Sequence, residues 1–247
     1  CSHENVVVQM QARLLLIALM EGSNEAVQAR IAAFLKTHKR SHFFRVAHEA
    51  LVDTQNSLKD LKRCLKLSTR LDRRFHWRAR ESVQDDSKFA DKKVNLSVFD
   101  DSVASQSELV RIDRNSHVMV LLRQLQLMCS GQHIVLQDLM QKQSSTGSCN
   151  LLRACTTLIG AVQPLTSNVV SDKDPTPFLV LQTQLLATVC SMSQGPNILN
   201  QREILQSSVL FDVNRIFSSV SYIVNDTSRR SSNPSDDVST HAPSESQ

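Results

Sequence analysis

The residues best suited to chemistry fall in one stretch, LLRQLQLMCSGQHIVLQDLM, from Leu121 to Met140. Cys129 and His133 stand four residues apart there, and on an unbroken helix that spacing puts a thiol and an imidazole on one face. Such a pair could ligate a metal or serve a redox reaction. Gly131 lies between them, however, and a glycine at that place breaks the helix and removes the one-turn relation. Cys129 also continues the apolar face of Leu122, Leu125 and Met128, so its thiol is expected in the core. The stretch reads as a helix corner.

A second metal-like spacing joins His38 to His42, with His48 further on. Zinc needs about four ligands converging from fixed elements, and His38 sits in the basic connector KTHKR, which repels a cation. These histidines are expected at the surface. The six cysteines, Cys1, Cys64, Cys129, Cys149, Cys155 and Cys190, form no CxxC pair, and four of them lie within apolar helical patterns. They read as buried thiols of a reducing, cytosolic compartment rather than a disulfide framework. The sequons at Asn95 and Asn225 are then incidental. Walker loops, dinucleotide fingerprints, nucleophile elbows and HExxH helices do not occur. No catalytic, cofactor-binding or metal-ligating residue is assigned, no cofactor is expected, and the chain does not read as an enzyme.

Composition narrows the frame that holds these residues. A chain of 247 residues suits one large domain or two small ones. With only 5 glycines, 6 prolines and 4% aromatics it leans helical, because sheets demand more turn residues and more rings. A net charge of +4 does not imply a nucleic-acid partner. The best apolar run, Leu14 to Met20, is far short of the ~20 residues of a membrane span. The chain starts at Cys1 rather than Met, which fits a piece of a longer protein.

Periodicity then predicts the elements. A first helix covers Asn5 to Met20 and stops at Gly22. Ser23 or Asn24 caps a second, whose apolar face is Val27, Ile31, Phe34 and Leu35. After a cap at Ser41, residues Phe44, Ala47, Leu51, Thr54, Leu58, Leu61 and Leu65 form a heptad seam and hence a long helix. From Lys59 to Arg80 it carries nine Lys or Arg and two acids, a pattern that can bind calmodulin or an acidic membrane surface or can simply be a solvated helix end. Apolar residues thin out over 81–115, which reads as a flexible linker. Helical faces resume with Val118, Leu121, Leu122, Leu125 and Met128, and then with Val135, Leu136, Leu139 and Met140. A further face runs from Leu151 through Leu152, Cys155, Leu158 and Ile159 to Val162, and Pro164 is expected to close it. Phe178, Leu181, Leu185, Val189 and Met192 mark another helix, broken at Gly195-Pro196. A last one presents Val209, Leu210, Val213, Ile216, Phe217 and Val220, and the polar tail 225–247 reads as disordered. The expected fold is all-α: stacked antiparallel helix pairs in an armadillo-like solenoid segment.

At the central corner the chain resembles a known family. RQLQLMC, a short polar turn and LQDLM are similar to the start of the RIH-associated domain of inositol trisphosphate and ryanodine receptors. That domain carries Leu-Gln-Leu-Leu-Cys, an Asn- and His-containing turn, then Leu-Gln-Asn. Leu125, Gln126, Leu127, Cys129, Leu136 and Gln137 carry the likeness, while Ser130, Gly131 and Gln132 depart from the family's turn. Gln194-Gly195-Pro196 with Asn200-Gln201 resembles a later turn of the same domain, although Asn197 replaces its frequent cysteine and the preceding glycine-rich stretch is missing. Upstream, Leu19, Glu21, Gly22, Asn24, Gln28, Phe43 and Phe44 resemble the helical segment that precedes the domain.

The resemblance implies a helical segment at 1–80, a linker at 81–115, an RIH-associated domain at 116–224 and a tail at 225–247. It implies a regulatory and coupling portion of a homotetrameric calcium-release channel of the endoplasmic reticulum, with the inositol trisphosphate receptors favoured. Other domains and subunits of that channel are the partners it implies. The competing expectation is a soluble helical-repeat adaptor that binds calmodulin through Lys59 to Arg80.

Overall fold

Leucines and alanines at three- and four-residue spacings, with few β-branched runs, commit this chain to helices wherever its backbone is described. The computed structural model describes residues 3–37, 42–81, 116–143, 148–166 and 177–218. Helix α1 (His3–Met20) ends at a turn through Gly22, and Asn24 accepts from the Val27 amide at 3.3 Å to start α2 (Glu25–Thr37). Helix α3 (His42–Glu81) follows, and α4 (His117–Cys129) leads through a 3-10 turn at Ser130–Gln132 into α5 (Ile134–Gln141). Then come α6 (Leu151–Thr166), α7 (Pro177–Ser193), α8 (Ile198–Gln206) and a last helix, α9, over 209–218. Pro177 opens α7 at the first helical position, where a missing amide hydrogen costs nothing.

Helix α4 is the centre. Ten of its thirteen residues are buried, so it cannot present a single stripe and must be covered on several sides. It is covered by α1 and α7, with a lighter contact to α3. Helix α7 in turn packs on α6, and α6 on the first half of α3. One core cluster therefore runs from Met20 and Phe44 through Leu121, Leu125 and Leu158 to Met192 and Val209. The expectation of a helical fold is met. Apart from α6 with α7, the heaviest pairings join helices distant in sequence, and they do not by themselves establish a solenoid.

The α3 seam is real but short. Phe44, Ala47, Leu51 and Leu58 are buried, Thr54 and Leu61 are half-buried, and Leu65 is exposed. Beyond it the basic run stays helical to Glu81, so the helix includes the first residue of the linker expected at 81–115; the side chains of residues 71–81 lie outside the described residues, as do the rest of that linker, the tail, Cys1, His38, Ser41 and Val220.

Several expectations need correction. Pro164 does not close its helix, because α6 continues to Thr166. A proline two residues from the end forfeits only the bond to the Gly160 carbonyl, and burial of Leu165 holds the last turn in place. Phe34, Leu210 and Phe217 are exposed rather than inward. On α9 the buried stripe begins at Val209 and continues through Asp212, which leaves Leu210 and Phe217, seven apart, on the outer side. Buried thiols are limited to Cys129 and Cys155, whereas Cys64 and Cys149 are half-buried and Cys190 is exposed. Cys190 adjoins the inward Val189 and so falls about 100° round the helix, outside its stripe. Helix α8 was not foreseen. Of its apolar residues Ile198, Leu199 and Leu205 face outward, Ile204 packs half-buried on the core and the buried residue is Asn200, too little apolar stripe to announce a helix.

Candidate functional site

Three helix corners lie side by side at one end of the core: Gly22–Asn24, Ser130–His133 and Gln194–Asn197. Each reverses the chain through left-handed backbone. Gly22 and Ser23 have φ of 75° and 58°, Gly131 and Gln132 have 69° and 62°, and Gly195 has 84°. Ser23 and Gln132 are the non-glycine residues in that region among those described, a conformation that side chains resist. The corners touch. Ser23 Oγ donates to Ser130 Oγ at 3.1 Å, and a Cβ on Gly131 would meet the Ser23 side chain at 3.5 Å. A Cβ on Gly195 would lie 2.7 Å from Gln132 Oε1, closer than van der Waals contact permits.

Side-chain amides lock this row. The last carbonyls of any helix lack an intrahelical donor, and a primary amide has two hydrogens with which to satisfy them. Gln28, one turn into α2, donates to the carbonyls of Leu127 at 2.8 Å and Ser130 at 2.9 Å and so closes the end of α4. Gln137, one turn into α5, donates to Ser191 and Gln194, both at 2.9 Å, and closes the end of α7. Asn200 on α8 donates to Met192 at 2.7 Å and to the Gln137 carbonyl at 3.0 Å. Gln201 adds a bond to the Gly195 carbonyl at 2.7 Å. Gln28, Gln137 and Asn200 are almost fully buried, where a lost partner is costly.

The candidate metal residues fall apart. Cys129 is sealed in the core, and burial, with the Cys155 thiol adding to it, pushes its thiol far above the ordinary range. His133 lies beyond the 3-10 turn, and its Nδ1 accepts from the Leu136 amide at 3.4 Å, so it caps α5. His42 is engaged with Arg45 at 3.2 Å. Among the described residues, no group of three or more His, Cys, Asp or Glu could hold a metal, and no helix is long and apolar enough to cross a membrane.

Reading the residues one by one missed the work of Gln28, Gln137 and Asn200. The available signal was an amide within an apolar run, one turn after a corner, as in IVLQDLM and ILNQ. Asn197 Nδ2 donates at 2.9 Å to Asp138 Oδ1. The arrangement moves no proton. It fixes helix ends to one another.

Residues 112–217, less than half of the chain, match the family model described as RyR and IP3R Homology associated. No curated protein and no solved structure matches the chain.

Proposed function

We propose, from the match of residues 112–217 to the family model described as RyR and IP3R Homology associated, that the chain is a cytosolic regulatory and coupling segment of an intracellular ligand-gated calcium-release channel, of the kind of the inositol trisphosphate receptors. The parent in this reading is a homotetramer of the endoplasmic reticulum membrane, and the segment's partners are its other domains and subunits. The division into a helical segment at 1–80, a linker, an RIH-associated domain at 116–224 and a tail belongs to the same proposal.

The row of locked corners supports it best. Gln28 lies outside the family match, while the carbonyls it closes, Leu127 and Ser130, lie inside it. A displacement of α1 and α2 is therefore passed to the ends of α4 and α7 instead of being absorbed in a loose loop. Relaying a rotation between two packed states needs such a joint.

Exchanging Leu125, which is fully buried on α4, for Ala in the full-length parent tests the reading. Ligand affinity at the distant site should shift modestly, within a coupling energy of ~1–3 kcal/mol. Calcium flux from the same membranes should fall much further. Unchanged flux in a mutant shown to be locally destabilised would leave a passive spacer. The basic end of α3, where Leu65 and Leu67 are exposed beside Lys62 and Arg63, is the proposed contact for calmodulin or an acidic surface.

A further inference from the structure

Arg13 projects from α1 toward α4 and is only 9% exposed. Its guanidinium has five donors, yet among the described residues its one hydrogen bond is a long 3.5 Å contact from Nη1 to the neutral Gln124 Oε1. The ion pairs among the described residues are Arg45–Glu49, Arg63–Asp60 and Arg153–Glu203, so no carboxylate there answers Arg13. Burial pulls the group below its ordinary value, but an arginine starts so high that it stays charged. Its charge also adds to the burial that holds His117 down. A buried charge facing one amide is poorly compensated, and a built site supplies the counter-charge.

Two adjoining clefts open beside it. The larger, about 630 Å³, is walled by Leu16, Ile31, Phe34, Phe43 and Met128, and Gln124 and the exposed Arg30 also line it. The smaller, about 480 Å³, shares Phe34, Leu35 and Phe43 and is lined by Arg13 and His42. Together they form an apolar trough with a buried cation at one end, within the size range of small-molecule sites. We propose that this trough binds an aliphatic monocarboxylate, with its carboxylate on Arg13 and its hydrocarbon chain along Leu35, Phe34 and Phe43. The planar guanidinium fork matches a carboxylate with two parallel charge-assisted hydrogen bonds. Every methylene laid along the trough leaves water, which favours longer chains. A cationic or uncharged amphiphile satisfies the apolar walls and leaves Arg13 unanswered.

Calorimetry of the 247-residue chain with decanoate and with decyltrimethylammonium, both below their micelle concentrations, tests this. Decanoate is expected to bind at one per chain, and the ammonium at least about tenfold more weakly. Arg13→Gln should weaken decanoate binding by a similar factor while the helical circular dichroism persists. Ala33→Trp, at an exposed position on the wall of the larger cleft, should block binding with Arg13 intact. If Arg13→Gln does not fold, Ala33→Trp with the head-group comparison decides the matter. Equal affinity for the two amphiphiles, indifference of decanoate to these substitutions, or no binding at millimolar decanoate would overturn the proposal.

Discussion

Asn200 Nδ2 reaches across 3.0 Å to the Gln137 carbonyl, and each of these two amides separately closes carbonyls at the end of α7. The ends of α5, α7 and α8 are thereby bound through one pair of side chains from helices some sixty residues apart. Residues that donate to neighbouring carbonyls of one helix end should not act independently.

Gln137→Met and Asn200→Ala should each destabilise the chain, by about 1–3 kcal/mol, because each leaves buried carbonyls without donors. The double variant should cost less than the two single losses together, with a coupling of at least ~0.5 kcal/mol. Urea unfolding of the four proteins measures it. Strict additivity would mean that the amides act as unrelated caps.

Gly195→Ala and Gly22→Ala should cost alike, because both positions have positive φ, which an alanine resists by ~1–2 kcal/mol. The space at Gly22 is open, and at Gly195 the new methyl meets the end of the exposed Gln132 side chain, Oε1 at 2.7 Å, which can swing into solvent. Gln132→Ala should therefore leave the Gly195→Ala cost unchanged. Thermal melts in which Gln132→Ala relieves the Gly195 variant would show instead that this side chain is held between the second and third corners.

Asn197→Ala should lose about 0.5–2 kcal/mol, since its Oδ1 accepts from the Asn200 amide at 3.0 Å and starts α8. Asp138→Asn should weaken the 2.9 Å bond from Asn197 Nδ2 but leave the cap, and so cost less. Hydrogen exchange of the α8 amides separates the two, because only the cap substitution should speed exchange in the first turn.

The buried thiols predict a loss of stability in alkali. Burial pushes Cys155 up to about 12 and Cys129 further still, from an unfolded value near 9. Above pH 9 the unfolded chain gives up these protons while the folded chain keeps them, so stability falls as pH rises toward 12. The slope is ~1.4 kcal/mol per pH unit for each thiol. Denaturation at pH 8 and pH 10 should show the fall, and Cys155→Ala should remove one thiol's share. A thiol reagent at neutral pH should label exposed Cys190 in the folded chain and Cys129 and Cys155 only after unfolding.

Sequence alone decided whatever depends on neighbours a turn away. Spacings of three and four residues set the helices and the buried faces of α4, α6 and α7, and Gly22, Gly131 and Gly195 marked the three corners, because left-handed backbone is a local requirement. The likeness around Leu125 to Gln137 rested on the same short-range patterns. Only the tertiary structure decided what each face meets. Gln137 and Asn200 look misplaced in apolar runs until carbonyls from about sixty residues away arrive to receive them. Helix α8 went unseen because docking of Asn200 and the single apolar contact of Ile204, rather than an apolar stripe, hold it, and Phe34 and Cys190 share the composition of inward residues yet lie outside the packed stripe. Apolar periodicity states which side of a helix must leave water. Which helix covers it, and which polar group is satisfied there, depends on chain segments that come together only on folding.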